Sequence, residues 1–76
     1  MIVREVTKYS RTTDRLLGGY PIACSADDMR HLFDVGDDHD MVFIYDINTP
    51  EQIAFFKKLG VPITNRCDWF VECFEQ

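Results

Sequence analysis

"MVFIYDINTPEQIAFFKKLGVP", residues 41–62, reads as a strand that runs into a helix. Over residues 41–47, Met41, Phe43, Tyr45 and Ile47 fall on one face of an extended chain, and Val42 and Ile44 on the other. Apolar residues on both faces predict a strand in the middle of a sheet, because a half-solvated strand would alternate. The helix that follows is fully punctuated. Thr49 stands at the N-cap, Pro50 is in the first turn, and Gln52 completes a capping box. Lys57 and Lys58 lie in the last turn, with Gly60 and Pro62 beyond it. Ile53, Phe56 and Leu59 are predicted to face inward.

Downstream, "CDWFVECFE", residues 67–75, alternates and predicts the last strand. Cys67, Trp69, Val71 and Cys73 make its core face; Asp68, Phe70, Glu72 and Phe74 make the other. If this strand ran parallel to 41–47, the crossover between them would be right-handed. Upstream, "SADDMRHLFDVG", residues 25–36, predicts a first helix with Ser25 as N-cap and Asp28 three residues on. Ala26, Met29, Leu32 and Phe33 form its apolar stripe, Cys24 and Met29 fit a hydrophobic staple, and Gly36 is the stop. "IVREVTKY" (2–9) and "RLLGGYPI" (15–22) predict two further strands joined by a turn. Gly18-Gly19 suggests a bulge or a bend, and Pro21 an edge position. The order is β-β-α-β-α-β: an α+β fold with a mostly antiparallel four-stranded sheet and two helices on one face.

The 76 residues make one domain, 1–76, with 46% hydrophobic residues for a single core and little room for a deep active site. No run approaches the ~20 apolar residues of a membrane span. The N-terminus lacks the pattern of a secretory signal, so a cytoplasmic protein is expected. Cys24, Cys67 and Cys73 are an odd set without metal spacing, which predicts reduced, buried thiols rather than a disulfide framework or zinc site.

The net charge of −5 has an address. Between residues 27 and 40 lie Asp27, Asp28, Asp34, Asp37, Asp38 and Asp40 against Arg30, while the rest of the chain balances seven acids with seven bases. This argues against direct nucleic-acid binding, which rewards Lys and Arg, and towards a protein partner with a basic surface. "DVGDDHD", residues 34–40, fails the calcium-loop pattern: counted from Asp34, His39 stands where glycine is needed and Tyr45 where glutamate is needed. No metal or cofactor site is assigned. Three of the acids, Asp27, Asp34 and Asp38, would share a helical side if the helix ran on. His31, one turn from Asp27 and Asp28, offers no nucleophile partner. Phe70 and Phe74 would be exposed aromatic anchors if both helices cover the opposite face.

"VREVTKY", the string from Met41 to Gly60 and "CDWFVECFE" together resemble a group of short bacterial proteins of uncharacterised function. Similar small acidic α+β proteins serve as immunity proteins beside secreted toxins. The resemblance implies a non-catalytic module that neutralises a basic, nuclease-type toxin domain by occluding its cleft. The residues expected to meet the partner are Asp27, Asp28, Asp34, Asp37, Asp38, Asp40, Phe70 and Phe74. Two alternatives stand beside it: a homodimer joined through an edge strand or the Phe70/Phe74 face, and a metal-dependent hydrolase using the Asp/His cluster.

Overall fold

The computed structural model of the protein describes residues 2–75. Two long strands, β1 (Ile2–Ser10) and β4 (Cys67–Glu75), pair antiparallel along their whole lengths, from Ile2 opposite Glu75 to Ser10 opposite Cys67. They form the middle of a four-stranded sheet of order β2-β1-β4-β3, all pairs antiparallel. β2 (Leu16–Ile22) lies on one edge, and the expected bulge is there, where Lys8 faces Gly18 but Tyr9 faces Leu16. Pro21 is on that edge strand, where a missing N–H is tolerated.

The expected α+β element order is present, but the 41–47 segment does not supply the central strand. β3 is only Tyr45–Asp46, at the opposite edge, opposite Val71 and Phe70 of β4. The reason is local. Met41 adopts φ +50°, which breaks an extended chain. Asp38 then takes the next two backbone N–H groups on its carboxylate: Val42 N donates to Oδ1 at 3.0 Å and Phe43 N to Oδ2 at 3.1 Å. A side chain that satisfies backbone donors competes with the sheet ladder and here displaces it. Because β3 and β4 are antiparallel, no crossover handedness arises.

The core lies on one side of the sheet. Val6, Trp69 and Val71 meet Ala26 and Met29 from helix α1 (Ala26–Met29) and Phe56 from helix α2 (Pro50–Lys58), with Met41, Ile47, Val61 and Ile63 filling in from the connections. The Trp69 indole N–H donates to the Thr64 carbonyl at 2.9 Å, so its polar end is satisfied. α1 is shorter than expected: after one turn it tightens into a 3₁₀ segment, Arg30–Leu32, and Gly36 sits beyond it in a turn with φ +54°. Asp28 still closes the start, accepting from both Ser25 N and Ser25 Oγ at 3.1 Å.

α2 keeps its punctuation. Thr49 Oγ1 accepts from Gln52 N at 3.2 Å, and Gln52 Oε1 accepts from Asn48 N and Thr49 N at 2.9 and 3.1 Å. Gln52 is buried, and its Nε2 also reaches across to the Leu32 carbonyl at 2.8 Å, tying α2 to the end of the 3₁₀ segment. At the other end Gly60, φ +94°, donates to Lys57 O at 3.0 Å and Val61 N to Phe56 O at 3.1 Å, a Schellman closure with Val61 buried against Phe56. Leu59 is exposed rather than inward, because the chain leaves the helix there. The three cysteines are free, but half-buried rather than buried, since Cys67 and Cys73 stand near the two ends of β4 and Cys24 precedes α1.

Candidate docking face

The second face of the sheet carries Val3, Glu5, Thr7 and Tyr9 from β1 and Asp68, Phe70, Glu72 and Phe74 from β4, by the alternation that sends Val6, Trp69 and Val71 to the core. A small polar knot organises its centre. Thr7 Oγ1 and the Tyr9 hydroxyl both donate to Glu72 Oε2, at 2.5 and 2.7 Å. Thr7 is thereby buried on a face that no helix covers. The Glu72 hydrogen bond, helped by burial, raises the pKa of the Tyr9 phenol. Beside this knot the Tyr9 and Phe70 rings meet edge to face, centroids 5.3 Å apart.

Two hollows share Asp68 and Phe70 in their linings, the larger reaching core-side Ile47, Cys67 and Trp69 as well. One, about 310 Å³, is lined by Tyr9, Asp14, Ile44, Asp68 and Phe70. The other, about 520 Å³, runs from Arg11, Asp46 and Asn48 to Ile63 and Asn65. Arg11 Nε contacts Asp68 at 3.3 Å, with both side chains about half exposed. Such a pair contributes about 0–1 kcal/mol and exchanges readily. Next to the first hollow, Val42, Phe43 and Ile44 are 49%, 67% and 52% exposed, three consecutive apolar residues turned to solvent. Phe74 is 39% exposed, whereas Phe70 is half-buried.

The acidic segment is placed differently from a uniform patch. Its helix ends too early to align Asp27, Asp34 and Asp38 on one side. Asp28 is occupied by its cap, whose Ser25 backbone N–H holds the carboxyl below its ordinary pKa. Asp27 pairs with Arg30 at 2.8 Å. Asp38 is taken up by the loop: besides Val42 and Phe43, it accepts from the Tyr45 hydroxyl at 2.6 Å. Desolvation pushes its carboxyl upward, but these three donors together outweigh that and leave it below the ordinary range. Burial and the Asp38 carboxylate push the Tyr45 phenol up to about 12. Asp34, Asp37 and Asp40 remain exposed. The loop backbone is pinned by arginines, Arg4 donating to Asp40 O at 2.6 Å and Arg30 Nε to His39 O at 2.8 Å.

Among the described residues, no three of His, Cys, Asp and Glu converge in an arrangement that could hold a metal ion. His31 sits edge-on to Phe55, centroids 6.5 Å apart, rather than paired with Asp27 or Asp28. No helix among the described residues is long and apolar enough to cross a membrane. Sequence reasoning placed Phe70 and Phe74 on this face but did not bring Tyr9, Asp14, Phe43 and Ile44 beside them. The available signal was Asp38 a few residues ahead of an apolar run, since Asp favours capping nearby backbone N–H groups over a strand.

No curated protein and no solved structure matches the chain. A family profile described as "Domain of unknown function (DUF7683)" matches residues 3–75. That span is nearly the whole domain, and the chain belongs to the DUF7683 family.

Proposed function

We propose that the protein is a small non-catalytic binding module that docks a protein partner through its uncovered sheet face and the adjoining 42–44 loop. The exposure of Val42, Phe43 and Ile44 carries this reading, because contiguous exposed apolar side chains beside Phe70 resemble the dry centre of an interface. Acidic side chains line the hollows, Asp14, Asp46 and Asp68, and Asp37 and Asp40 are exposed in the preceding loop. Such charge suits a basic partner, whose approach it would accelerate. A cytoplasmic inhibitor that occludes the cationic cleft of a nuclease-type toxin domain fits both this charge and the resemblance of the sequence to immunity proteins. In this reading Phe43, Ile44 and Phe70 are the anchors. Asp34, Asp37 and Asp40 steer association, while Asp28 and Asp38 hold the surface in shape.

The test is affinity capture from the native host with three baits: wild type, Phe43→Ser/Ile44→Ser, and Asp37→Lys/Asp40→Lys. The captured protein is then titrated calorimetrically against each bait. A basic partner lost by the serine variant and slowed by the lysine variant supports the reading. A partner that binds all three baits equally overturns it. Capture of nothing but further copies of the chain, with a dimer mass by light scattering, replaces it with self-association through the same face.

A further inference from the structure

The 310 Å³ hollow between Tyr9, Ile44 and Phe70 has a composition that selects its occupant. Its size is at the lower end of the ~300–1,000 Å³ of small-molecule sites, room for one long side chain. Two of its walls are aromatic, and a third is the aliphatic Ile44. Asp14 and Asp68, both carboxylates, complete the lining. Asp14 is held there by the turn between β1 and β2, at φ +57°, with its N–H donating to Ser10 O at 3.0 Å. Nearby, Glu72 accepts from the Tyr9 hydroxyl and Asp46 is paired across the sheet with Phe70, while Arg11 contacts Asp68.

An aromatic-walled cleft with excess negative charge suits a cation on an apolar stem. Aromatic faces attract ammonium and guanidinium groups, and the stem of a Lys or Arg packs on apolar surface while its head remains with polar groups. The loose contact of Arg11 with Asp68 already displays one guanidinium at this carboxylate. We infer that this pocket takes a lysine or arginine side chain of the protein partner, flanked by apolar partner residues that cover Phe43. The inference rests on the docking face proposed above and adds the chemistry of the partner's central contact.

Two peptides test it by NMR titration of the isotope-labelled full chain: acetyl-Ile-Arg-Ile-amide and its neutral counterpart acetyl-Ile-Gln-Ile-amide. The arginine peptide should bind about tenfold tighter, as a charge-assisted hydrogen bond allows. Its shift changes should centre on Tyr9, Asp14, Ile44 and Asp68. The preference should vanish in Asp14→Asn/Asp68→Asn, whose unchanged spectrum elsewhere certifies the fold, and should shrink with added salt. Equal affinities, with shifts still on 42–44 and Phe70, overturn the cation pocket and leave the docking face standing. Shifts elsewhere, or none from either peptide at millimolar concentration, overturn the pocket and remove support from the face.

Discussion

Gln52→Leu is the sharpest test of how the fold presents this surface. Gln52 is a large polar side chain buried in the core, and its carboxamide is used at both ends: its oxygen accepts two backbone N–H groups, and its Nε2 donates to Leu32 O. Leucine keeps the volume and loses all three bonds, each contributing about 0.5–1.5 kcal/mol net. Asn48 and Thr49 are exposed, so water can replace their lost acceptor, whereas the Leu32 carbonyl is partly buried and recovers less. The Thr49 cap to Gln52 N survives, since it uses backbone. The expected cost is therefore about 2 kcal/mol, a Tm drop of roughly 8–16 °C for a domain of this size. Urea unfolding should give a lower midpoint with the same slope. Gln52→Glu sharpens the test. A carboxylate still accepts from Asn48 and Thr49 but faces the Leu32 carbonyl with an acceptor, so its folded pKa should rise above the unfolded value of about 4.3. A raised folded pKa means the variant is closest to wild type below that value and loses stability as pH rises towards the folded pKa. A Gln52→Leu variant within about 0.5 kcal/mol of wild type, at the level of an ordinary surface change, refutes the clamp. So does a Gln52→Glu deficit that does not vary with pH.

Four further outcomes are expected. Phenolate absorbance should reveal a tyrosine titrating near 12 that is missing in Tyr45→Phe; with the ordinary value at 10.0, the stability from its bond to Asp38 is complete below 10 and lost as pH rises towards 12. Asp38 has the opposite sign: its folded pKa lies below the ordinary 3.8, so its contribution is present above that value and lost as pH falls through the folded pKa, with the Val42 and Phe43 amide resonances moving first. Gly60→Ala should cost about 1 kcal/mol by urea titration, because φ +94° is strained for any residue with a Cβ. Millimolar Mn²⁺, Zn²⁺ or Ca²⁺ should leave Tm unchanged; a rise of several degrees would revive the metal-dependent hydrolase.

What was legible in the sequence was what local rules determine. The caps of α2, the edge position of Pro21, the bulge by Gly18 and the two faces of β4 all depend on residues near one another in the chain. The inward assignment of Leu59 failed by one residue, because the helix had already ended at its cap. Strand order was not legible. The central pair joins the first and last strands, and nothing near Ile2 refers to Glu75. On the proposed docking face, Phe70 and Phe74 followed from alternation, but Tyr9, Asp14 and Ile44 enter only once β1, its turn and β3 converge on β4.

The misread segment is the one on which the proposed docking face rests. Residues 41–47 have the composition of a buried strand, yet Val42, Phe43 and Ile44 stand in solvent. Had they extended β3, they would have lengthened an apolar sheet edge, the feature that recruits other chains indiscriminately. Asp38 prevents this by capping Val42 N and Phe43 N, so two backbone donors that a foreign strand would need are already occupied. The side chains remain available while part of the backbone does not. That arrangement favours recognition by shape and apolar contact over strand addition. It also separates two roles within the acidic segment. Replacing Asp38 should dissolve the presentation of Phe43 and Ile44, whereas replacing Asp37 or Asp40 should alter only the charge that surrounds them. If Asp38→Ala left the Val42 and Phe43 amide resonances and partner affinity unchanged, the loop would not depend on that cap, and the exposed apolar run would lose its structural explanation.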